Sequence, residues 1–147
     1  MRFDEKDQQI LRHLLTDSRQ SARQLAMRLG ISTVTTISRM KKLHDEKIIQ
    51  GYSVLLDHEL LGYDLTAIVE ISTTQGKMLE IENEISKHEN VIAVYDITGE
   101  TDILLIAKFK ERKLLSDFVK SLSALPNVEK TITHIVLNTI KEDSRLL

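Results

Sequence analysis

The chain contains no cysteine, only one proline (Pro126) and no long apolar run among its 147 residues. The absence of cysteine excludes disulfides, thiolate metal sites and cysteine nucleophiles. No run approaches the roughly 18 apolar residues of a membrane-spanning helix, and the N-terminus "MRFDEKDQQI" shows no apolar signal segment. We therefore expect a soluble, cytoplasmic protein with no membrane partner.

The sequence also lacks the residue patterns of an enzyme. It has no glycine-rich phosphate loop, and no nucleophile motif surrounds its serines. The histidines show no paired metal-ligand spacing; they are His13, His44, His58, His88 and His134. We expect no catalytic residue, no metal and no cofactor, and we expect His134 on the last strand to be packed or solvated.

Charge is distributed unevenly along the chain, whose net charge is −2. Residues 1–51 hold 10 Lys+Arg and 6 Asp+Glu, whereas residues 52–147 hold 10 and 16. The stretch "SARQLAMRLGISTVTTISRMKKL" (21–43) carries five cations and no carboxylate. Residues 1–51 are therefore net positive and residues 52–147 net negative. This difference predicts two functions, with a polyanion as the partner of residues 1–51.

The N-terminal third predicts three helices. Asp4 is a candidate N-cap for the first, whose apolar stripe is Ile10, Leu11, Leu14 and Leu15. Ser21 and Gln24 form a capping-box start for the second helix. Gly30 stands where that helix needs a residue with positive φ, and Ser32 can cap the third.

The third helix has two faces at 100° per residue. Thr36, Met40 and Leu43 predict its buried side, with Ile37 alongside. The opposite side is polar and cationic, which predicts a helix-turn-helix whose second helix enters the major groove of DNA. The candidate DNA-binding residues are Ser32, Thr33, Val34, Thr35, Ser38, Arg39, Lys41, Lys42, Arg23 and Arg28.

These candidates differ in their expected contacts with double-stranded DNA. Thr35 and Ser38 can bond base edges, and Val34 can meet a thymine methyl. The lysines on the helix can neutralise phosphates, and Arg39 can do so or read guanine. The alternative is that the cations form only a solvated helix face.

After residue 47 the apolar period changes to two. "IIQGYSVLL" (48–56) predicts a strand and "DHELLGY" (57–63) a connector. A strand–helix–strand pattern then occurs twice: strand 66–72, helix 77–89, strand 91–98, turn "TGETD", strand 103–109, helix 111–123 and strand 129–140. The tail "KEDSRLL" (141–147) predicts loose chain or an extra helical turn.

The predicted class is α+β. A three-helix, winged-helix-like helix-turn-helix domain (1–50) is followed by a strand and connector (51–65) and a ferredoxin-like βαββαβ domain (66–147). Residues 103–109 alternate apolar side chains on both faces, with Leu104 and Ile106 opposite Ile103, Leu105, Ala107 and Phe109. One face can pack on the helices, so the other predicts an interface in at least a dimer.

This order of motifs resembles the leucine-responsive regulatory protein/AsnC (Lrp/AsnC, feast/famine) family of transcription regulators. The resemblance covers roughly residues 3–141, and its specific pieces are Leu25-Ala26…Leu29-Gly30-Ile31-Ser32, Arg39…Leu43, Ile49-x-Gly51-Tyr52 and Gly99-x-x-Asp102. It implies that the C-terminal part is a regulator-of-amino-acid-metabolism (RAM) domain. It also implies dimers built on the C-terminal sheets, assembly into tetramers or octamers, and sites for an amino acid or related effector between subunits.

The sequence departs from the family pattern at three positions. Thr33 stands where many relatives have proline, Lys47 where glycine is usual, and Thr101 where tyrosine is common in the turn. The resemblance implies that Gly99, Glu100, Thr101 and Asp102 contact the effector. Without it, this turn is first a strand connection in which Gly99 supplies backbone freedom, with free carboxylates at Glu100 and Asp102.

Three functions fit the sequence. The leading one is a sequence-specific transcriptional regulator whose C-terminal domain oligomerises and senses a small molecule. The second is a low-specificity architectural DNA-binding protein without an effector. The third, an amino-acid-binding enzyme subunit, would need a separate catalytic partner, and the basic helix-turn-helix argues against it.

Overall fold

The computed structural model describes residues 3–147. Its internal contacts define two compact units: residues through Leu55 together with Lys141–Leu147, and residues Leu56–Ile140. The functional division at residues 50 and 65 stays a prediction. No helix among the described residues is long and apolar enough to cross a membrane.

The first unit contains helices α1 (Glu5–Thr16), α2 (Ala22–Leu29) and α3 (Thr33–Asp45). All three predicted N-caps are confirmed, because a side-chain oxygen of Asp4, Ser21 or Ser32 accepts a backbone N–H three residues on. Each cap satisfies a donor that has no partner inside the helix. In the tail, residues 141–147 contain no helical turn.

Two backbone positions close the helix ends. Gly30 has φ 64°, as predicted, and the N–H of Ile31 donates to the Ala26 carbonyl at 3.1 Å. Lys47 has φ 61° at the end of α3, where its family pattern has glycine. A side chain in this left-handed region costs about 1–2 kcal/mol, so Lys47 carries mild strain.

The core of this unit is small. Its clustered buried apolar residues are Ile10, Leu14, Leu25, Leu29, Leu43 and Ile49, and Ala26 is also buried. The expectation that Ile37 lies beside the buried face is wrong, because 53% of its surface is exposed. Ile37 points about 100° away from Thr36, and a core built by three short helices covers only a narrow stripe of α3.

The predicted strand 48–56 is absent from the described structure. Residues 50–57 belong to no helix or strand, and Tyr52, Val54, Leu55 and Leu56 are all more than half exposed. The alternating pattern expresses a local preference, whereas a strand also requires a partner for its backbone groups.

The second unit is one antiparallel sheet with two helices. Its elements are β1 (Leu65–Thr73), α4 (Met78–Ile85), β2 (Val91–Asp96), β3 (Ile103–Phe109), α5 (Arg112–Ser123) and β4 (Val128–Ile135). The strand order β2-β3-β1-β4 is that of a ferredoxin-like βαββαβ domain, which confirms the α+β class. The last strand ends before residue 140 because its partner β1 begins at Leu65, opposite this end.

One face of the sheet carries both helices. Val69, Leu105 and Phe109 are fully buried there against helix residues Ile81 and Phe118. The opposite face has no helix and presents Ile68, Leu104 and Ile106, each partly exposed. We call this second surface the open sheet face.

Candidate functional site

The outer side of α3 presents short polar and cationic side chains. Val34 is 78% exposed, and Thr35, Ser38 and Lys41 are also exposed. Thr33 and the capping Ser32 are exposed at the start of the helix. Arg23 and Arg28 are exposed on α2, the preceding helix. This surface offers hydrogen-bond donors, acceptors and positive charge without a covering element from its own unit.

The hydroxyl groups of Ser32 and Thr35 are paired at 2.7 Å. Ser32 Oγ already accepts the Thr35 backbone N–H at 3.0 Å, so its proton can be donated to Thr35 Oγ1. The Thr35 proton is then free to point outward. In this arrangement Thr35 presents a hydrogen-bond donor, which suits the acceptors N7 and O6 of guanine or N7 of adenine.

Arg39 lies in an ion-pair cluster that the sequence analysis missed. Its Nη1 donates to both carboxylate oxygens of Asp4 and to Oδ1 of Asp7, each at 2.8 Å. Asp7 is completely buried, and the cluster joins the first turn of α1 to α3. The available signal was the spacing of Asp7, Ile10 and Leu14, which places a carboxylate on the buried stripe, where it needs a cation.

These hydrogen bonds shift the pKa values of Asp4 and Arg39. The hydrogen bond from Arg39, and then that from the Asp7 backbone, hold the pKa of Asp4 below its usual value. Conversely, the bond to Asp4, followed by that to Asp7, raises the pKa of Arg39. Because the folded-state pKa of Asp4 is lowered, its stabilisation is present above the unfolded-state pKa and is lost as pH falls through the folded-state value.

The cluster limits which cations of residues 21–43 are available to DNA. Arg39 already binds two carboxylates within the protein, and DNA would have to compete with them. Its contact with DNA therefore stays a prediction. Lys42 Nζ lies 3.8 Å from Asp7 Oδ2, and its side chain is 28% exposed. The exposed Lys41, Arg23 and Arg28 are therefore the stronger candidates for phosphate contacts.

Replacing Arg39 by methionine is expected to lower the free energy of unfolding of the first unit. The change leaves the buried Asp7 without its main partner, and we expect a loss of about 2 kcal/mol. This is less than for a deeply buried pair because the Arg39 side chain is 26% exposed. The measurement is urea denaturation followed by circular dichroism.

Arg23→Met is the control for this change, since Arg23 is exposed on α2. It removes the same charge and should leave unfolding within about 0.5 kcal/mol of the original chain. Equal losses for the two variants would contradict a stabilising role for the cluster.

The predicted effector turn joins β2, an edge strand, to the central strand β3. Gly99 has φ 138°, a conformation that side chains rarely adopt, and Glu100 is exposed. Thr101 is only 6% exposed, and its hydroxyl donates to Glu70 Oε2 at 2.9 Å. The turn therefore has a structural role, with Glu100 facing solvent.

The expectation that Asp102 is a free carboxylate is wrong. Its Oδ2 accepts the backbone N–H of Thr73 at 2.6 Å and the Thr73 hydroxyl at 3.2 Å. These bonds extend the β1–β3 ladder past its last pair, Ile71 with Ile103. Asp102 thus secures the end of β1, and its contact with an effector stays a prediction.

His134 also has a partner on the open sheet face. Its Nε2 lies 3.0 Å from Glu70 Oε1, so Glu70 connects His134 with Thr101. Within residues 3–147, no group of three or more His, Asp or Glu side chains is arranged to hold a metal ion.

A helix-turn-helix with a polar, cationic outer helix, followed by a ferredoxin-like sheet, defines a two-part class of transcription regulators. Two family models match the chain: the AsnC-type helix-turn-helix domain over residues 3–44 and the Lrp/AsnC ligand binding domain over residues 66–146. The chain belongs to the Lrp/AsnC family of transcriptional regulators, as its sequence resemblance predicted.

Similar proteins agree with this assignment. An HTH-type transcriptional regulator of Pyrococcus furiosus is 47% identical over 146 residues, which cover 99% of both chains. The crystal structure of a Neisseria meningitidis transcriptional regulator in complex with L-methionine is 30% identical, with a TM-score of 0.88 over 98% of this chain and 96% of the other. A feast or famine regulatory protein of Mycobacterium tuberculosis, complexed with L-methionine, is 28% identical, with a TM-score of 0.88 over 97% of each chain.

Proposed function

We propose that this protein is a cytoplasmic, non-enzymatic, sequence-specific DNA-binding regulator whose assembly or DNA affinity responds to an amino acid or similar effector. The observation that carries the proposal is the exposed outer face of α3, where Val34, Thr35 and Ser38 lie beside Lys41. Short side chains at the start of a helix can reach base edges, while the lysine neutralises phosphate.

The test is selection of bound DNA from a random pool, repeated with and without amino acids. A sequence-specific regulator enriches a common motif and binds it far more tightly than random DNA at the same salt concentration. Enrichment of no motif, with equal affinity for all sequences, would contradict the proposal and favour the architectural alternative, whose binding comes from phosphate contacts alone.

Replacing Lys41 by glutamine is expected to weaken binding to all DNA sequences equally. Because one phosphate contact is lost, the slope of log affinity against log salt should fall by about one. Thr35→Ala and Ser38→Ala should instead reduce the preference for the selected motif. The measurement is fluorescence anisotropy with the motif and with random DNA over a range of salt concentrations.

Lys120→Gln serves as the charge-matched control, since Lys120 is exposed on α5 in the other unit. Its salt slope should equal that of the original chain. If the salt slope is unchanged in Lys41→Gln, Lys41 does not contact a phosphate. If Thr35→Ala weakens binding to the motif and to random DNA equally, Thr35 does not contact a base.

The proposed effector role of the Gly99–Asp102 turn predicts binding of an amino acid. Complexes of two family members with L-methionine support this class of ligand. Asp102, and with it Glu100, would face the ammonium group, while backbone N–H groups at Gly99 approach the carboxylate. Calorimetry across the twenty amino acids should therefore identify at least one ligand.

Asp102→Asn is the suitable variant because its amide oxygen can still accept the Thr73 bonds while the negative charge is removed. Loss of a charge-assisted hydrogen bond should weaken ligand binding about 10- to 100-fold. Asp64→Asn, an exposed position before β1, is the control. Unchanged affinity in Asp102→Asn would exclude its charge from the site, and binding of none of the twenty would contradict an amino acid as effector.

The proposed assembly is at least a homodimer formed through the open sheet face, with a tetramer or octamer as the higher state. Ile68, Leu104 and Ile106 give this face an apolar centre that no element of its own unit covers. Apolar patches of this kind usually mark protein interfaces. A two-fold dimer would also place two recognition helices at related DNA half-sites.

A further inference from the structure

Two branched apolar side chains are exposed side by side on α3. Ile37 is 53% exposed and Val34 is 78% exposed. They are three residues apart in the helix, so they lie on one face with Cβ atoms about 5–6 Å apart. A partner that covers this pair would gain stability by removing its apolar area from water.

The pair lies within the polar surface of α3 and away from the core. Ser38 follows Val34 by four residues, and Lys41 follows Ile37 by four, so both are helical neighbours of the pair. On the other side, Thr36 and Leu43 are buried in the core of the unit. The pair is therefore an apolar strip inside the proposed DNA-contacting face.

The nature of this partner follows from the surrounding charge. Lys41 is exposed on the same helix, and Arg23 and Arg28 are exposed on α2. Such a setting favours a polyanion over an apolar protein surface. The apolar group that the major groove of DNA presents is the 5-methyl group of thymine.

We infer that Ile37, together with Val34, reads thymine methyl groups, so the preferred site contains two thymines at neighbouring positions. This inference rests on the proposed sequence-specific function. The separation of the two Cβ atoms exceeds the rise of about 3.4 Å between bases, so the two side chains are far enough apart to contact two different bases. Branching at Cβ leaves both side chains with few rotamers to lose on binding.

The experiment uses the full chain and the motif selected from a random pool. Each thymine of the motif is replaced in turn by deoxyuridine, which removes only the methyl group, and affinity is measured at fixed salt for the original chain and for Ile37→Ala. At two neighbouring positions, deoxyuridine should lower the affinity of the original chain about 3- to 10-fold. At one of these two positions, the same replacement should leave the affinity of Ile37→Ala unchanged, while Ile37→Val should keep part of the sensitivity.

Met27→Ala is the control, because Met27 is exposed on α2 and its variant should respond to every deoxyuridine as the original chain does. Equal sensitivity of the original chain and Ile37→Ala at all thymines would overturn the inference while leaving the proposed function intact. A change in oligomeric mass in Ile37→Ala would also overturn it, by assigning the strip to a protein interface. If the pool yields no motif, the proposed function fails and the inference fails with it.

Discussion

Replacing Leu43 by alanine is expected to abolish DNA binding by unfolding the first unit. Leu43 is 1% exposed and belongs to the small apolar core that holds α3 in place. A buried Leu→Ala change costs about 2–5 kcal/mol, whereas a core of this size rarely supplies more than about 3–5 kcal/mol. The loss should therefore remove most of the stability of the unit.

The measurement combines thermal unfolding by circular dichroism with DNA binding at 25 °C. Because the chain has two units, Leu43→Ala should show an early transition for the first unit before the sheet domain unfolds. Met27→Ala is the control, since Met27 is 77% exposed and its loss should change stability by less than about 0.5 kcal/mol. Loss of DNA binding by Leu43→Ala with unchanged unfolding would contradict this explanation.

Replacing Ile106 by glutamate is expected to convert the proposed oligomer into monomers. Ile106 lies in the centre of the open sheet face, paired with Ile68 on β1 and Ala93 on β2. In a two-fold interface the change would bury two carboxylates without cations introduced to balance them. Such burial costs several kcal/mol for each charge, which is enough to separate most dimers at micromolar concentration.

Light scattering at micromolar concentration measures the mass directly. Leu79→Glu is the matched control, because Leu79 is 69% exposed on α4 and so lies outside the open sheet face. It introduces the same charge and should keep the mass of the original chain. An oligomer that survives Ile106→Glu would exclude this face as the interface, and a monomeric original chain would contradict the proposed assembly.

Structural features that depend only on residues close together in the chain could be predicted from the sequence. Ser21 and Ser32 bond N–H groups three positions on, and Gly30 adopts the positive φ that closes α2. β3 occupies residues 103–109 as predicted because apolar residues recur at every second position along it, and Ile103, Leu105, Ala107 and Phe109 are all buried. Such interactions depend on local geometry, so their residues are recognisable without knowledge of the rest of the chain.

Contacts between distant positions were decided only by the tertiary structure. Arg39 is paired with Asp4, 35 positions away, and Asp102 bonds Thr73, 29 positions away. In both cases the sequence predicted a charge available to a ligand, because the residues around Arg39 and Asp102 do not show which distant group each one contacts. Folding decides this, since a buried charge is stable only where another segment brings its partner.

The sequence by itself determined the helix-turn-helix and the double strand–helix–strand order, because both follow from short periodic patterns and helix caps. It also indicated the family, through the resemblance of its specific motifs to that family. The tertiary structure decided which side chains remain available for function. It exposed Ile37, buried Asp7, and left residues 50–57 without strand partners. The physical reason is that exposure and strand pairing depend on what packs against a segment, and that information lies elsewhere in the chain.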